Sequence, residues 1–199
     1  MMQFLSALFF LSALLLPAGG WAIVQVNSLA EPSVEVRSND AGLVLDISYQ
    51  VSVPPSEAWT TITDFEHQPS FMPNLEVSRV LLRSGNRLWL EQKGAAKFGI
   101  FKFHYESQRE LALTPCQLIR SHSLSGDIQM DSTMVLYPSG AGTRIAYHVN
   151  AVSHLPIPDS IVAPYLKGAL RDQFDAMGKE ILRRERTQTA TVEAQCEVS

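Results

Sequence analysis

VPPSEAWTTITDFEHQPSFMPN, residues Val53 to Asn74, is the stretch that decides the fold. Pro54 and Pro55 cannot donate to a strand ladder, so a strand must end before them, while Pro55 suits a first helical turn and Glu57 favours the positive end of a helix dipole. Ala58, Ile62 and Phe65 recur at helical spacing with Trp59 beside them. Asp64 is placed to cap a second short helix that carries Phe71 and Met72 and stops before Pro73.

Upstream, Leu43 to Val53 alternates Leu43, Leu45, Ile47, Tyr49, Val51 and Val53 with mostly polar neighbours, the pattern of a strand buried on one face. Downstream, strands are predicted over Leu75–Arg83, Arg87–Lys93, Phe98–Leu113, Gln117–Ser125, Ile128–Tyr137 and Thr143–Ser153. Short turn signals such as Ser84-Gly85-Asn86 and Gly126-Asp127 join them, which implies antiparallel neighbours, and Gly94 to Gly99 reads as a flexible turn. A helix over Pro164–Arg184 closes the domain. Val162, Leu166, Ala169, Leu170, Phe174, Met177 and Ile181 form its apolar stripe, with Lys167, Arg171, Asp175 and Lys179 opposite; a separate turn capped by Asp159 or Ser160 precedes it. This is an α+β chain with two short helices after the first long strand. A sheet that must bury one face against a single late helix curls around it and leaves space between.

Phe4 to Leu16 is an uncharged apolar run of signal-peptide length, and Gly20-Trp21-Ala22 is a small-x-small triplet, so residues 1–22 read as an export signal cleaved after Ala22. The basic residues that usually open such a signal are missing from Met1-Met2-Gln3, and an uncleaved signal would leave a membrane anchor. The expected compartment is the periplasm. Residues 23–42 form a linker with a candidate strand at Val34–Ser38, residues 43–186 one domain, and residues 187–199 a weakly ordered tail.

The net charge is −4 and basic residues are scattered rather than clustered, which argues against a nucleic-acid partner. The two cysteines, Cys116 and Cys196, lack metal-ligand spacing. A bridge between them would persist after export and contribute about 4 kcal/mol. The composition of the tail nevertheless favours two unpaired thiols.

No nucleophile elbow, phosphate loop or zinc spacing appears, so no cofactor or metal is expected. His104 and His148 alternate away from their aromatic neighbours towards solvent, and His67 and His154 lie in a helical turn and a strand end. His122 shares the parity of Leu118, Arg120 and Leu124, which places it inside; with Asp131 or Arg120 it is the best acid–base candidate. A lone histidine of this kind more often has a structural role.

The strand into Val53–Trp59, Thr63-Asp64-Phe65-Glu66, Phe71-Met72-Pro73, the late Gly142-Thr143-Arg144-Ile145-Ala146-Tyr147 and Pro156-Ile157-Pro158 before the long helix resemble, in that order, the START-like superfamily with the helix-grip fold. The resemblance is to its polyketide cyclase and coenzyme Q-binding branch, and it covers about Leu43 to Arg184. It implies a curved antiparallel sheet gripping the C-terminal helix around an apolar cavity for lipids, quinones or polyketides. Because this fold hosts carriers, sensors and some cyclases, it does not imply one activity. The expected cavity residues are Phe65, Phe71, Met72, Trp89, Phe101, Phe103, Tyr105, Met130, Met134, Tyr147, Leu166, Leu170 and Phe174, with Arg120 and His122 as polar contacts. The expected partner is a hydrophobic small molecule or lipid, bound without chemical change, with peripheral membrane contact as a candidate and no particular protein partner indicated. A polyketide cyclase or dehydratase, and a protein-interaction module without ligand, are the alternative readings.

The mature chain is expected to begin near Ile23. Intact mass of the exported product checks this; a mass that retains Met1 to Ala22, together with membrane fractionation, would show an anchor instead.

Overall fold

A computed structural model describes residues 31–98, 101–153 and 159–187. Among these, eight strands form one antiparallel sheet: β1 (Ser33–Asn39), β2 (Gly42–Val51), β3 (Leu75–Ser84), β4 (Arg87–Phe98), β5 (Phe101–Thr114), β6 (Leu118–Gly126), β7 (Ile128–Ser139) and β8 (Gly142–Ser153). The spatial order is β1-β2-β8-β7-β6-β5-β4-β3, so the sheet is curved but not closed, with β1 and β3 at its edges. Helix α1 (Pro55–Ile62) and a 3-10 helix (Phe65–Ser70) join β2 to β3, and α2 (Asp159–Thr187) ends the described chain. The expected export signal and the tail beyond Thr187 lie outside the described residues.

Several expected boundaries move. The candidate strand at Val34–Ser38 is β1, paired with β2 from Ser33↔Ser48 to Asn39↔Gly42. Residues 94–98 are not a turn: they continue β4 opposite residues 101–105 of β5. Cross-strand pairing outweighs the small side chains there. Phe71 and Met72 follow the 3-10 helix rather than riding on it. Asp64 stands at its N-terminus without making a capping hydrogen bond, because its carboxylate is taken by His67 and Arg184. Pro164 lies inside α2, whose first turns run straight on from Asp159, so there is no separate turn. Cys116 is disulfide-bonded, which corrects the reading of an unpaired thiol; Cys196 lies outside the described residues.

The inner face of the sheet follows from the alternation. Leu45, Ile47, Tyr49 and Val51 of β2, Leu88 and Leu90 of β4, Leu136 of β7, and Ile145 and Val149 of β8 are all buried. Thr143 is buried with its hydroxyl donating to the Val53 carbonyl at 2.7 Å, which fastens the start of β8 to the chain leaving β2. Against this face α2 buries Phe174, Met177, Ile181 and Leu182. Its equally apolar Leu166 and Leu170, two turns and one turn before Phe174, are only partly buried. The stripe is continuous in sequence. The packing beneath it is not.

An ionic cluster holds the C-terminal end of α2. Glu180 accepts from Arg183 at 2.6 and 2.7 Å and from Arg184 Nε at 2.7 Å, and Arg184 reaches across to Asp64 at 2.7 Å. The Arg184 guanidinium also lies 5.8 Å from the Phe71 ring centroid. The Arg183 hydrogen bond, helped by Arg184 and opposed by burial, holds the Glu180 carboxyl at about 2. Burial would raise Asp64, but hydrogen bonds from His67 and Arg184 outweigh it and keep the carboxyl low.

Phe174→Asp puts a carboxylate between the Tyr49 and Tyr147 rings, whose centroids lie 5.4 and 5.6 Å from that of Phe174, and should destabilise the domain by at least about 3 kcal/mol. Lys167→Asp on the exposed face should be nearly neutral; thermal melts of the two variants check the facing of α2. Because both clustered carboxyls are lowered on folding, their stabilisation is present above the ordinary carboxylate range and is lost as pH falls towards about 2. The melting temperature should therefore drop on acidification below the ordinary glutamate value of 4.5, and the drop should be shallower in Glu180→Gln.

Candidate functional site

Where α2 stops packing tightly, a cavity of about 320 Å³ opens between the helix and the sheet. Strand parity supplies its walls: Tyr105, Ser107, Arg109 and Leu111 from β5, Ile119 and Ser121 from β6, Ile128, Met130, Ser132 and Met134 from β7, and Tyr147 and Val149 from β8. Leu166, Leu170 and Phe174 face them from α2, and Ile62, Phe65, Gln68 and Met72 complete one side. The lining is mainly aliphatic, aromatic and methionine. Such surfaces adapt to apolar ligands of varied shape.

The polar groups of the wall form a directed chain. The Ile62 carbonyl accepts from Gln68 Nε2 at 3.1 Å, Gln68 Oε1 accepts from Gln92 Nε2 at 3.0 Å, and Gln92 Oε1 accepts from the Arg109 guanidinium. Gln92 Nε2 also reaches Ser78 Oγ at 3.2 Å. With both amides committed as donors on one side, the Gln92 oxygen is left for the arginine. Near this chain the Tyr105 hydroxyl donates to the Asn74 carbonyl at 3.0 Å. Burial pushes the Tyr105 phenol up, against the opposing pull of Arg109.

Gly94 makes the Tyr105 contact feasible. It lies opposite Tyr105 in the β4–β5 register, and a Cβ there would stand 2.1 Å from the Asn74 oxygen and 2.4 Å from the Tyr105 hydroxyl. Any side chain would displace the ring or the turn at Asn74.

Of the residues expected at the site, Phe65, Met72, Tyr105, Met130, Met134, Tyr147, Leu166, Leu170 and Phe174 are brought together around the cavity. Phe71 packs against the core under Arg184 and is not part of the wall. Trp89 is on the outer face, paired across the ladder with Leu82 and Glu110, because its neighbours Leu88 and Leu90 are the fully buried ones. Phe101 and Phe103 lie on β5, but their side chains are outside the described residues.

Arg120 and His122 are corrected. On β6 the inward residues are Ile119, Ser121 and Ser123, so Arg120, His122 and Leu124 point outward, and Leu124 is 50% exposed. His122 does meet Asp131, with Nδ1 2.5 Å from Oδ1, but the pair is solvent-exposed on the outer face. His104 and His148 are exposed as expected, His67 is also exposed, in the 3-10 helix, and His154 lies outside the described residues. Among the described residues no group of three or more His, Cys, Asp or Glu could hold a metal ion.

Sequence reasoning passed over Arg109, Gln92 and Gln68. The signal for Arg109 was present, since it shares the parity of Tyr105, Ser107 and Leu111 on one strand. Extending the aromatic face of β5 by two more pairs would have found it. The glutamines carried no comparable signal, because their roles depend on a contact between the 3-10 helix and β4.

Residues 51–129 match the family model described as polyketide cyclase / dehydrase and lipid transport. Among solved structures, the STAR-related lipid transfer protein of Xanthomonas axonopodis (fragment 25–204) superposes with a TM-score of 0.63 at 12% identity, covering 78% of this chain and 98% of that one. The Zhui aromatase/cyclase of Streptomyces sp. R1128 gives 0.61 at 13% identity, with 79% and 100% covered. Human STARD10 gives 0.60 at 13% identity, with 81% and 74% covered. No curated protein matches the sequence. The chain shares the fold of these structures, a curved antiparallel sheet gripping a long C-terminal helix.

Proposed function

We propose that this protein binds a hydrophobic small molecule or lipid in the cavity between the sheet and α2 and carries it without chemical change. The observation that carries this reading is the cavity itself, about 320 Å³ and walled chiefly by Met, Leu, Ile, Phe and Tyr side chains, where the same helix stripe packs solidly only a turn further on. The lipid-transfer and cyclase names of its structural relatives agree with an apolar guest. Quinone-like and polyketide-like molecules both fall within that class.

We place its action in the periplasm. The apolar N-terminal run supports export, and a disulfide at Cys116 suits an oxidising compartment.

A cyclase is the second reading, and Tyr105 with Arg109 favours it, since a phenol and a guanidinium in one apolar cavity are able to polarise a carbonyl. Against it, proton transfer near neutral pH wants a group titrating there, and burial moves Tyr105 away from that range. The described histidines are all exposed. A filled interior would favour an interaction module, and the interior is open.

Native mass spectrometry of protein taken from its own envelope should find a co-purified apolar molecule. Met134→Trp, which fills the cavity from β7, should weaken binding of the neutral fluorophore Nile red about ten-fold while the melting temperature changes little, because overpacking costs about 1–3 kcal/mol only where no space exists. Unchanged Nile red affinity with intact folding would place apolar binding elsewhere. Turnover of a poly-β-ketone substrate would replace the carrier with the cyclase.

A further inference from the structure

Arg109 has no carboxylate partner among the described residues, although it stands in an apolar cavity. Its partners are neutral: Gln92 Oε1, and the Met130 sulfur at 3.8 Å, too weak an acceptor to balance a charge. Its Nε is buried without any hydrogen-bond partner. On the neighbouring strand of the same wall, the Ser121 hydroxyl is likewise buried and unpartnered. The two donors are diagonal neighbours, since Arg109 lies opposite Ser123 and Leu111 opposite Ser121. A break in the β5–β6 register falls between Gln108 and Arg109, the kind of irregularity that re-aims side chains next to a binding site.

A part-buried guanidinium that lacks a counter-charge is costly, and so is each orphaned donor. The Gln68–Gln92 chain nevertheless fixes Arg109 in place and offers it a dipole rather than a neutralising anion. Glu106, the other charged residue of the lining, is exposed and paired with Lys93 at 3.0 Å, so the guanidinium charge, the free Nε–H and the Ser121 hydroxyl together want one oxyanion, and a planar carboxylate matches the guanidinium fork. Resting on the carrier reading above, we propose that the guest is an amphiphile with a carboxylate head, bound by Arg109 and Ser121, and an apolar tail lying along Met130, Met134, Leu166 and Leu170.

Isothermal titration of the full chain with equal-length guests below their micelle concentrations tests this. Dodecanoate should bind about ten-fold or more tightly than 1-dodecanol, and dodecyltrimethylammonium more weakly than either. In Arg109→Gln the dodecanoate affinity should fall to that of dodecanol while dodecanol is unaffected, and Arg109→Lys should fall between. Arg120→Gln, on the outer face, should change neither. Equal affinity of the unaltered chain for dodecanoate and dodecanol would overturn the head-group assignment while leaving the carrier reading standing. Binding of none of the three would overturn both. The comparison within the unaltered chain stands even if Arg109→Gln does not fold.

Discussion

Phe174, Met177, Ile181 and Leu182 wedge the C-terminal half of α2 against the sheet, and the position of everything else follows from that contact. Each such side chain contributes about 1.5–3 kcal/mol when it leaves water, enough for four of them to hold the helix against a curved sheet. The ionic cluster at Glu180 and Arg184 adds direction: it ties the helix end to Asp64, at the head of the 3-10 helix. With that end fixed, the earlier turns of α2 stand over the sheet rather than on it, and the cavity is what remains between them.

The cavity therefore exists at the expense of packing that the domain does without at Leu166 and Leu170. A filled interior would gain dispersion and burial energy there, as it does beneath Ile181 and Leu182. Keeping large adaptable side chains such as Met130 and Met134 around open space, instead of smaller ones that close it, makes sense only if something else supplies the missing contacts. The polar chain from Ile62 through Gln68 and Gln92 to Arg109 adds a second cost, a charge held among neutral groups. Both deficits fall on the same wall.

Much of this architecture is legible in the amino-acid sequence. The proline pair at 54–55, the two short helical segments, the strand alternation and the stripe on the last helix all come from local rules, and each has its counterpart in the fold. Nine of the expected cavity residues do line it: Tyr105, Met130, Met134 and Tyr147 because inward parity on β5, β7 and β8 is marked by large side chains, and Phe65, Met72, Leu166, Leu170 and Phe174 because the helical segments mark their apolar faces. Parity fails on β6, where Leu118 and Leu124 suggest one face and the buried residues are Ile119, Ser121 and Ser123. Small serines leave no hydrophobic signature, so the outward leucines mislead. Trp89 fails for a related reason: a large aromatic suggests an inward position, while its neighbours Leu88 and Leu90 take the core.

By itself the sequence determined the order of elements, most of the boundaries set by proline and turn residues, and most of the apolar faces, since these depend on neighbours one to four residues apart. Only the tertiary structure decided which stretch of the α2 stripe meets a filled core and which meets a cavity, because that depends on how far the sheet curves away. It also decided the polar chemistry of the wall. Gln68, Gln92, Arg109 and Ser121 are scattered over more than fifty positions of chain, and their meeting is set by strand register and by the 3-10 helix packing on β3 and β4. No local pattern encodes such a meeting.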